Sequence, residues 1–275
     1  MWFFNYSWGK IFESIFFPFR HLNPWWGMIF ISLLTGLFML AVFKYTSNQK
    51  GISQVKNKIK AHLLEIRLFK DNFALSLKAQ GNILRYNLKY ISYSFKPMLV
   101  MIIPLILILI QLNLWFGYHS LEPGQKAIVK VKLKKEYNPL DLKLKIDPSP
   151  GFRVDSPPLR IEEEKEVNWR IQAKKKGIYS LVIKVDNQSY QKNVAISQNS
   201  LTKISPAKVN KNFWAELLYP GEQPLSSDSP LESIEITYSS KKMNLFGLHL
   251  HWLIVYFVLS IIFGFGLKGF LKVQI

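Results

Sequence analysis

Residue types that commonly carry chemistry are sparse in this 275-residue chain. It has no cysteine, which excludes disulfides, thiol nucleophiles and thiolate metal sites. Histidines stand only at positions 21, 62, 119, 249 and 251. His249 and His251 are the one close pair, and a step of two on a helix does not set side chains side by side. With Trp252 they read as amphipathic rings at a membrane interface. The acidic run from Glu162 to Glu166 is interrupted by Lys165 and reads as a solvated turn. No Gly-x-Ser-x-Gly, His-Glu-x-x-His, phosphate-binding loop or paired-carboxylate pattern is present. The expectation is a protein with no catalytic residue, no metal and no cofactor. The distinctive chemistry is cationic: from Lys44 to Pro97 eleven Lys and Arg face only Glu65 and Asp71, a net of +9.

That basic stretch lies between apolar segments. The chain is 49% hydrophobic and carries a formal charge of +18, a combination typical of membrane proteins with basic loops. Three apolar runs, 25–44 (charge-free up to its last residue, Lys44), 98–117 and 245–267, are expected to span a bilayer whose hydrocarbon is about 30 Å thick. Residues 1–22 place Phe4, Trp8, Phe12, Ile15, Phe16 and Phe19 on one helical face, with Asn5, Ser7, Lys10, Glu13 and Ser14 on the other. They read as an amphipathic helix in the membrane interface, with a helix packed on protein as the alternative.

Residues 118–244 change character. Alternating strands are predicted at 126–133, 142–147, 152–154, 167–173, 179–185, 190–196 and 232–239, separated by turn signals such as Asn138-Pro139 and Asp186-Asn187. This spacing predicts a β-sandwich with Trp169 as a core anchor, and Tyr179 sits where an immunoglobulin-like fold places its tyrosine corner. The stretch 213–219 reads as a helical turn. The fold class expected is an α-helical integral membrane protein, with three transmembrane helices and a cytoplasmic helical hairpin, into which an all-β, Ig-like sandwich is inserted on the extracytoplasmic side.

The positive-inside rule sets the orientation. It puts the N-terminus outside, 45–97 in the cytoplasm, the β-domain outside and the tail 268–275 in the cytoplasm, in a bacterial inner or cell membrane. The long 118–244 segment is exempt because folded loops translocate regardless of charge. The basic segment also carries an apolar stripe: Ile52, Val55, Ile59, Leu63, Ile66, Phe73, Leu77, Leu84, Leu88, Ile91 and Phe95. As one straight helix it would run about 70–75 Å, yet both of its ends meet the membrane. It therefore doubles back near Lys70-Asp71-Asn72, giving arms at 48–69 and 73–95, or lies flat.

An N-out span, a basic two-helix hairpin (Gln49–Phe95, with AHLLEIRLFKDN at its tip), a second span led by KPMLVMIIP and a third span ending in the cytoplasm resemble the three-span core of the YidC/Oxa/Get/EMC superfamily of membrane-protein insertases. The resemblance covers about residues 25–117 and 245–275 and rests on topology. It implies a non-enzymatic protein that eases hydrophilic segments across the bilayer through a cytoplasm-open polar groove and a locally thinned membrane. It assigns client or ribosome contact to the hairpin, where the candidates are Lys56, Lys58, Lys60, Arg67, Lys70, Lys78 and Arg85. The bacterial insertase has a groove arginine; here no span is charged, so the groove candidates are Thr35, Gln111, Asn113 and Ser260, with Ser32 beside them. The basic residues have two further readings, contact with anionic lipid or topology alone. The partners expected are the bilayer, membrane-protein clients or the ribosome, and an extracytoplasmic protein, with no DNA. The alternative function is a structural subunit or envelope adaptor that binds a partner through its sandwich.

Overall fold

The structure, a computed structural model, describes residues 2–196, 200–245 and 247–274. It divides into two compact units: residues 1–27 with 108–252, and residues 28–107 with 253–275.

The first unit is built on antiparallel sheets. Strand β1 (Lys126–Leu133) alternates outward and inward, which buries Ala127, Val129, Val131 and Leu133. It pairs with β5 (Glu166–Ala173), placing Val129 opposite Trp169 and Val131 opposite Val167. Around this pair a six-stranded sheet adds β3 (Phe152–Val154), β4 (Leu159–Ile161), β8 (Ala207–Val209) and β9 (Leu231–Ile236). A three-stranded sheet has the order β2 (Leu144–Ile146), β6 (Gly177–Val185), β7 (Gln188–Ile196). Side chains from both sheets form one buried cluster that contains Trp169, so the region is β-sandwich-like. The Tyr179 hydroxyl donates to the Lys176 carbonyl at 3.1 Å, clasping the turn into β6. A side chain on Gly177 (φ +150°) would meet that ring at 3.0 Å, which restricts the position to glycine.

Three elements differ from the sequence expectation in informative ways. Strands β4 and β8 have only three residues each, too few for alternation to register. Residues 242–251 form a hairpin, β10 (Lys242–Leu245) with β11 (Leu248–His251), where an apolar span was expected to begin. On β11 the step of two places His249 and His251 on one face, opposite Asn244 and Lys242. Finally, α1 (Trp2–Phe16) buries Asn5, Gly9, Phe12 and Phe16, a stripe different from the most apolar one. Phe16 packs on Trp115 and Phe116 at ring separations of 4.9 and 5.5 Å. Asn5 donates to the Glu216 carbonyl at 2.7 Å, fastening α1 to α5 (Phe213–Leu218). Helix α1 thus packs on protein along this stripe and leaves Phe3, Tyr6 and Ile11 exposed.

The second unit is helical. Helix α2 (Pro24–Thr46) enters it, and α3 (Gln49–Leu68) follows with Asn48 as N-cap, its side chain accepting from Gly51 N at 2.9 Å. The chain then turns. Phe69 N–H closes α3 onto Glu65 O, and Asn72 caps α4 (Phe73–Phe116) by accepting from Leu75 N at 3.1 Å. The first half of α4 runs back antiparallel along α3, so that His62 stacks on Tyr86 at 5.5 Å and the Lys58 ammonium lies 5.1 Å from the same ring. Helix α4 continues unbroken through Pro97 and Pro104, so the second hairpin arm and the apolar run 98–117 belong to one helix. Helix α6 (Trp252–Leu267) has 16 residues, a rise of about 24 Å. Among the described residues two helices, α2 and α4, are long and apolar enough to cross a membrane.

The sandwich core supplies a direct stability test. Ile171 is fully buried at the centre of β5. Ile171→Ala is expected to remove about 2–5 kcal/mol. Urea unfolding of the detergent-solubilised chain, followed by far-UV circular dichroism, should show an earlier sheet transition with its slope unchanged.

Candidate functional site

In the helical unit α2, α4 and α6 enclose a cavity of about 420 Å³. Its wall is mostly apolar, formed by Met39, Leu40, Phe43, Met98, Met101, Leu105, Phe257 and Ile261. Three unbranched methionines give the wall adaptable contacts. Hydroxyl groups interrupt it at Thr35 on α2, Ser94 on α4, and Tyr256 and Ser260 on α6. Thr35 and Ser260 flank the Tyr256 hydroxyl. Even so, the buried hydroxyls of Ser94, Tyr256 and Ser260 have no well-formed hydrogen bond among the described residues. Serine on a helix usually satisfies itself on the carbonyl one turn back; here these oxygens sit buried in the cavity wall. An apolar chamber with spare donors and acceptors can hold a polar backbone or side chain where bare hydrocarbon would leave it unsatisfied.

Gly36 sets the width of this chamber. A methyl there would sit 3.2 Å from the Ser260 carbonyl and 3.3 Å from the Gly264 nitrogen, so α2 and α6 approach closely because Gly36 has no side chain.

The cavity joins the hairpin through one residue. Tyr90 lines the cavity and also a smaller cleft of about 260 Å³ between the arms, beside Lys56, Ile59, Lys60 and Asn87. Lys58, Lys60, Arg67, Lys70, Lys78 and Arg85 are exposed, and Lys56 is half-buried. The apolar stripe behaves differently on the two arms. On α3, Ile52 and Val55 are buried. On α4, Leu77, Leu84, Leu88, Ile91 and Phe95 face outward, each more than half exposed. The inward positions of that arm go instead to Ala79, Ile83, Tyr86, Tyr90 and Tyr93, which are buried or half-buried. The Tyr86 ring stacks on His62 and under Lys58 while keeping a polar tip, so a tyrosine and not the aliphatic stripe occupies the seam there.

Of the groove candidates, the structure brings Thr35 and Ser260 together in the cavity. Gln111 and Asn113 belong to the other unit. Gln111 is buried beside Gly9, and the Asn113 carbonyl closes the end of α4 by accepting from Gly117 N at 2.9 Å. Ser32 is buried but does not line the cavity. Tyr90, Ser94 and Tyr256 were missed as site residues, although a signal existed. Tyr90/Ser94 and Tyr256/Ser260 are polar pairs four apart, which a helix places on one face.

No protein-family model matches the chain. No curated protein matches it. Among solved structures it is similar to domains 5–6 of the S-layer protein SbsC, at 16% identity over 45% of this chain and with a TM-score of 0.22. The match spans 58% of that protein's chain.

Gly36→Leu is expected to force α2 from α6 and cost about 1–3 kcal/mol, as overpacking does. Gly264→Ala, where an added methyl meets nothing within 4 Å, should be neutral. Thermal aggregation midpoints of the purified variants in detergent check the contrast.

Proposed function

We propose that this protein is an insertase or chaperone for membrane proteins, with the hairpin of α3 and α4 as its cytoplasmic receiving arm and the hydroxyl-lined cavity as the place where a client's polar segment is held. In this reading α2, the apolar half of α4 and α6 span the bilayer, the N-terminus and the sandwich lie outside, and the tail is cytoplasmic. The observation that carries the proposal is Tyr90, which lines both the cleft between the basic arms and the cavity. A client meets the exposed apolar stripe of α4 with its hydrophobic stretch, while Lys78 and Arg85 beside it attract acidic or phosphate-bearing groups. Its polar stretch passes to Ser94, Tyr256, Ser260 and Thr35, which replace part of the hydration it loses. The short α6 supports the reading too. At about 24 Å it falls short of the usual hydrocarbon thickness of about 30 Å and favours a locally thinned bilayer, which shortens the polar segment's path.

One observation favours the adaptor reading. Phe213 and Trp214 on α5 are more than half exposed at the surface of the sandwich unit, as a partner-binding patch would be.

Photo-crosslinkers at Lys58, Lys70 and Lys78 separate the two readings. The insertase reading expects nascent membrane proteins or ribosomes among the products, and recovery of stable envelope partners alone would sink it. Changing Lys56, Lys58, Lys60 and Arg67 to Glu should abolish insertion of dependent clients. Filling the cavity with Ser260→Leu should slow their insertion roughly five-fold, the effect of losing one hydrogen bond of about 1 kcal/mol at the barrier. Time-resolved protease protection in proteoliposomes reads both.

A further inference from the structure

The outer edge of β7, bridged at its end by Leu121, carries a second polar site. Its outward backbone groups meet side chains where a neighbouring strand would stand. Gln191 O accepts from Lys208 Nζ at 2.9 Å, Asn193 N donates to Glu222 Oε2 at 3.0 Å, and Ala195 N donates to the Tyr238 hydroxyl at 3.1 Å. A two-lobed cleft runs along this edge, about 280 and 300 Å³, with α1 as its other wall. Glu13, Lys203 and Glu222 line both lobes; Arg20 and Trp115 close the first, and Lys10 and Lys208 stand in the second.

Both carboxylates are already committed. Glu13 sits between Lys10 at 2.8 Å and Lys203 at 3.1 Å. Glu222 accepts from the Lys192 ammonium, buried on the inner face of β7, and from Asn193 N. Burial disfavours the Lys192 charge and holds its pKa below the usual lysine value, with Glu222 opposing. Arg20 and Lys208 have no carboxylate partner among the described residues: Arg20 lies 5.5 Å from the Phe17 ring, and Lys208 donates to a carbonyl. The Trp115 indole N–H, in a side chain 1% exposed, also has no acceptor among the described residues. The first lobe therefore offers a guanidinium and an ammonium beside the Trp115 ring, with its acidic groups neutralised.

We propose that this lobe binds a phosphate group, either the phosphodiester of an anionic phospholipid or a small soluble phosphate ester. A guanidinium matches phosphate with two parallel hydrogen bonds, and the lysine supplies a further charged donor. Arg20 lies four residues before α2, and Trp115 lies in the last turn of α4. If those helices span the membrane, both residues stand at headgroup depth, which suits the lipid source. The proposal is independent of client insertion.

The full chain, purified in detergent, is exposed to phosphatidylglycerol or phosphatidylcholine, and bound phospholipid is counted by native mass spectrometry. Glycerol 3-phosphate is titrated separately by calorimetry. One retained phosphatidylglycerol per chain without glycerol phosphate binding assigns the site to a headgroup. Saturable glycerol phosphate binding without retained lipid assigns it to a soluble ester. Arg20→Gln should weaken whichever probe binds by roughly ten-fold, and adding Lys203→Gln should weaken it further. Arg20→Lys should fall between, and Lys208→Gln, in the second lobe, should change binding by less than about two-fold. Arg20→Gln removes no ion pair, so it keeps the test valid if loss of Lys203 unfolds the domain. Failure of wild type to bind either probe, or undiminished binding by Arg20→Gln, overturns the proposal.

Discussion

One helix, α4, joins a basic half to an uncharged one. The first half of α4 carries Lys78, Arg85, Lys89 and Lys96, and the second half, after Pro97, carries no charge. In the proposed bilayer setting the backbone groups of the second half have only the helix itself to bond, which favours continuity, and α4 runs unbroken through Pro97 and Pro104. Continuity of α4 is what delivers Tyr90, Ser94, Met98 and Met101 to one cavity wall on successive turns. The last turn of the same helix supplies Trp115 and Phe116 to the packing of α1.

The two units hold together by different physics. The sandwich is stabilised by burying aliphatic and aromatic side chains between antiparallel sheets, with each inward residue of β1 and β5 contributing on the order of 1.5–3 kcal/mol. The apolar helices gain much less from burying leucine against leucine when lipid is the alternative. They rely on close approach at Gly36 and on shape. Packing of that kind is compatible with a chamber that is not filled, and it is there that hydroxyls without partners persist. In the sandwich the buried Lys192 is held by Glu222 and by the Ser205 carbonyl at 2.6 Å.

Polar groups left over in apolar surroundings are what link the two candidate sites. In the cavity they are hydroxyls, suited to peptide groups. In the cleft on β7 they are cations, suited to an anion. Under the proposed function, solvation of a polar stretch by the cavity hydroxyls is what moving polar chain through a bilayer would require.

Much of this was legible from local pattern. The alternation from Lys126 to Leu133 named β1 to the residue, and Asp71-Asn72 marked the turn, because a strand face and an N-cap are local devices. Hydropathy could not distinguish Leu245–His251 from the start of a helix, since a short apolar run fits either until its pairing partner is known. Periodicity showed that the α4 arm had an apolar stripe but not that tyrosines would take the seam, because which stripe is buried depends on what stands opposite. Likewise Thr35, Gln111 and Ser260 all read as groove candidates, being polar residues in apolar runs. The amino-acid sequence by itself determined the elements, their charge and the residues available to a site. Only the tertiary structure decided that Thr35 and Ser260 meet across Gly36 while Gln111 does not join them, because rotation of one helix against another is set by packing between distant residues and leaves no trace in local spacing.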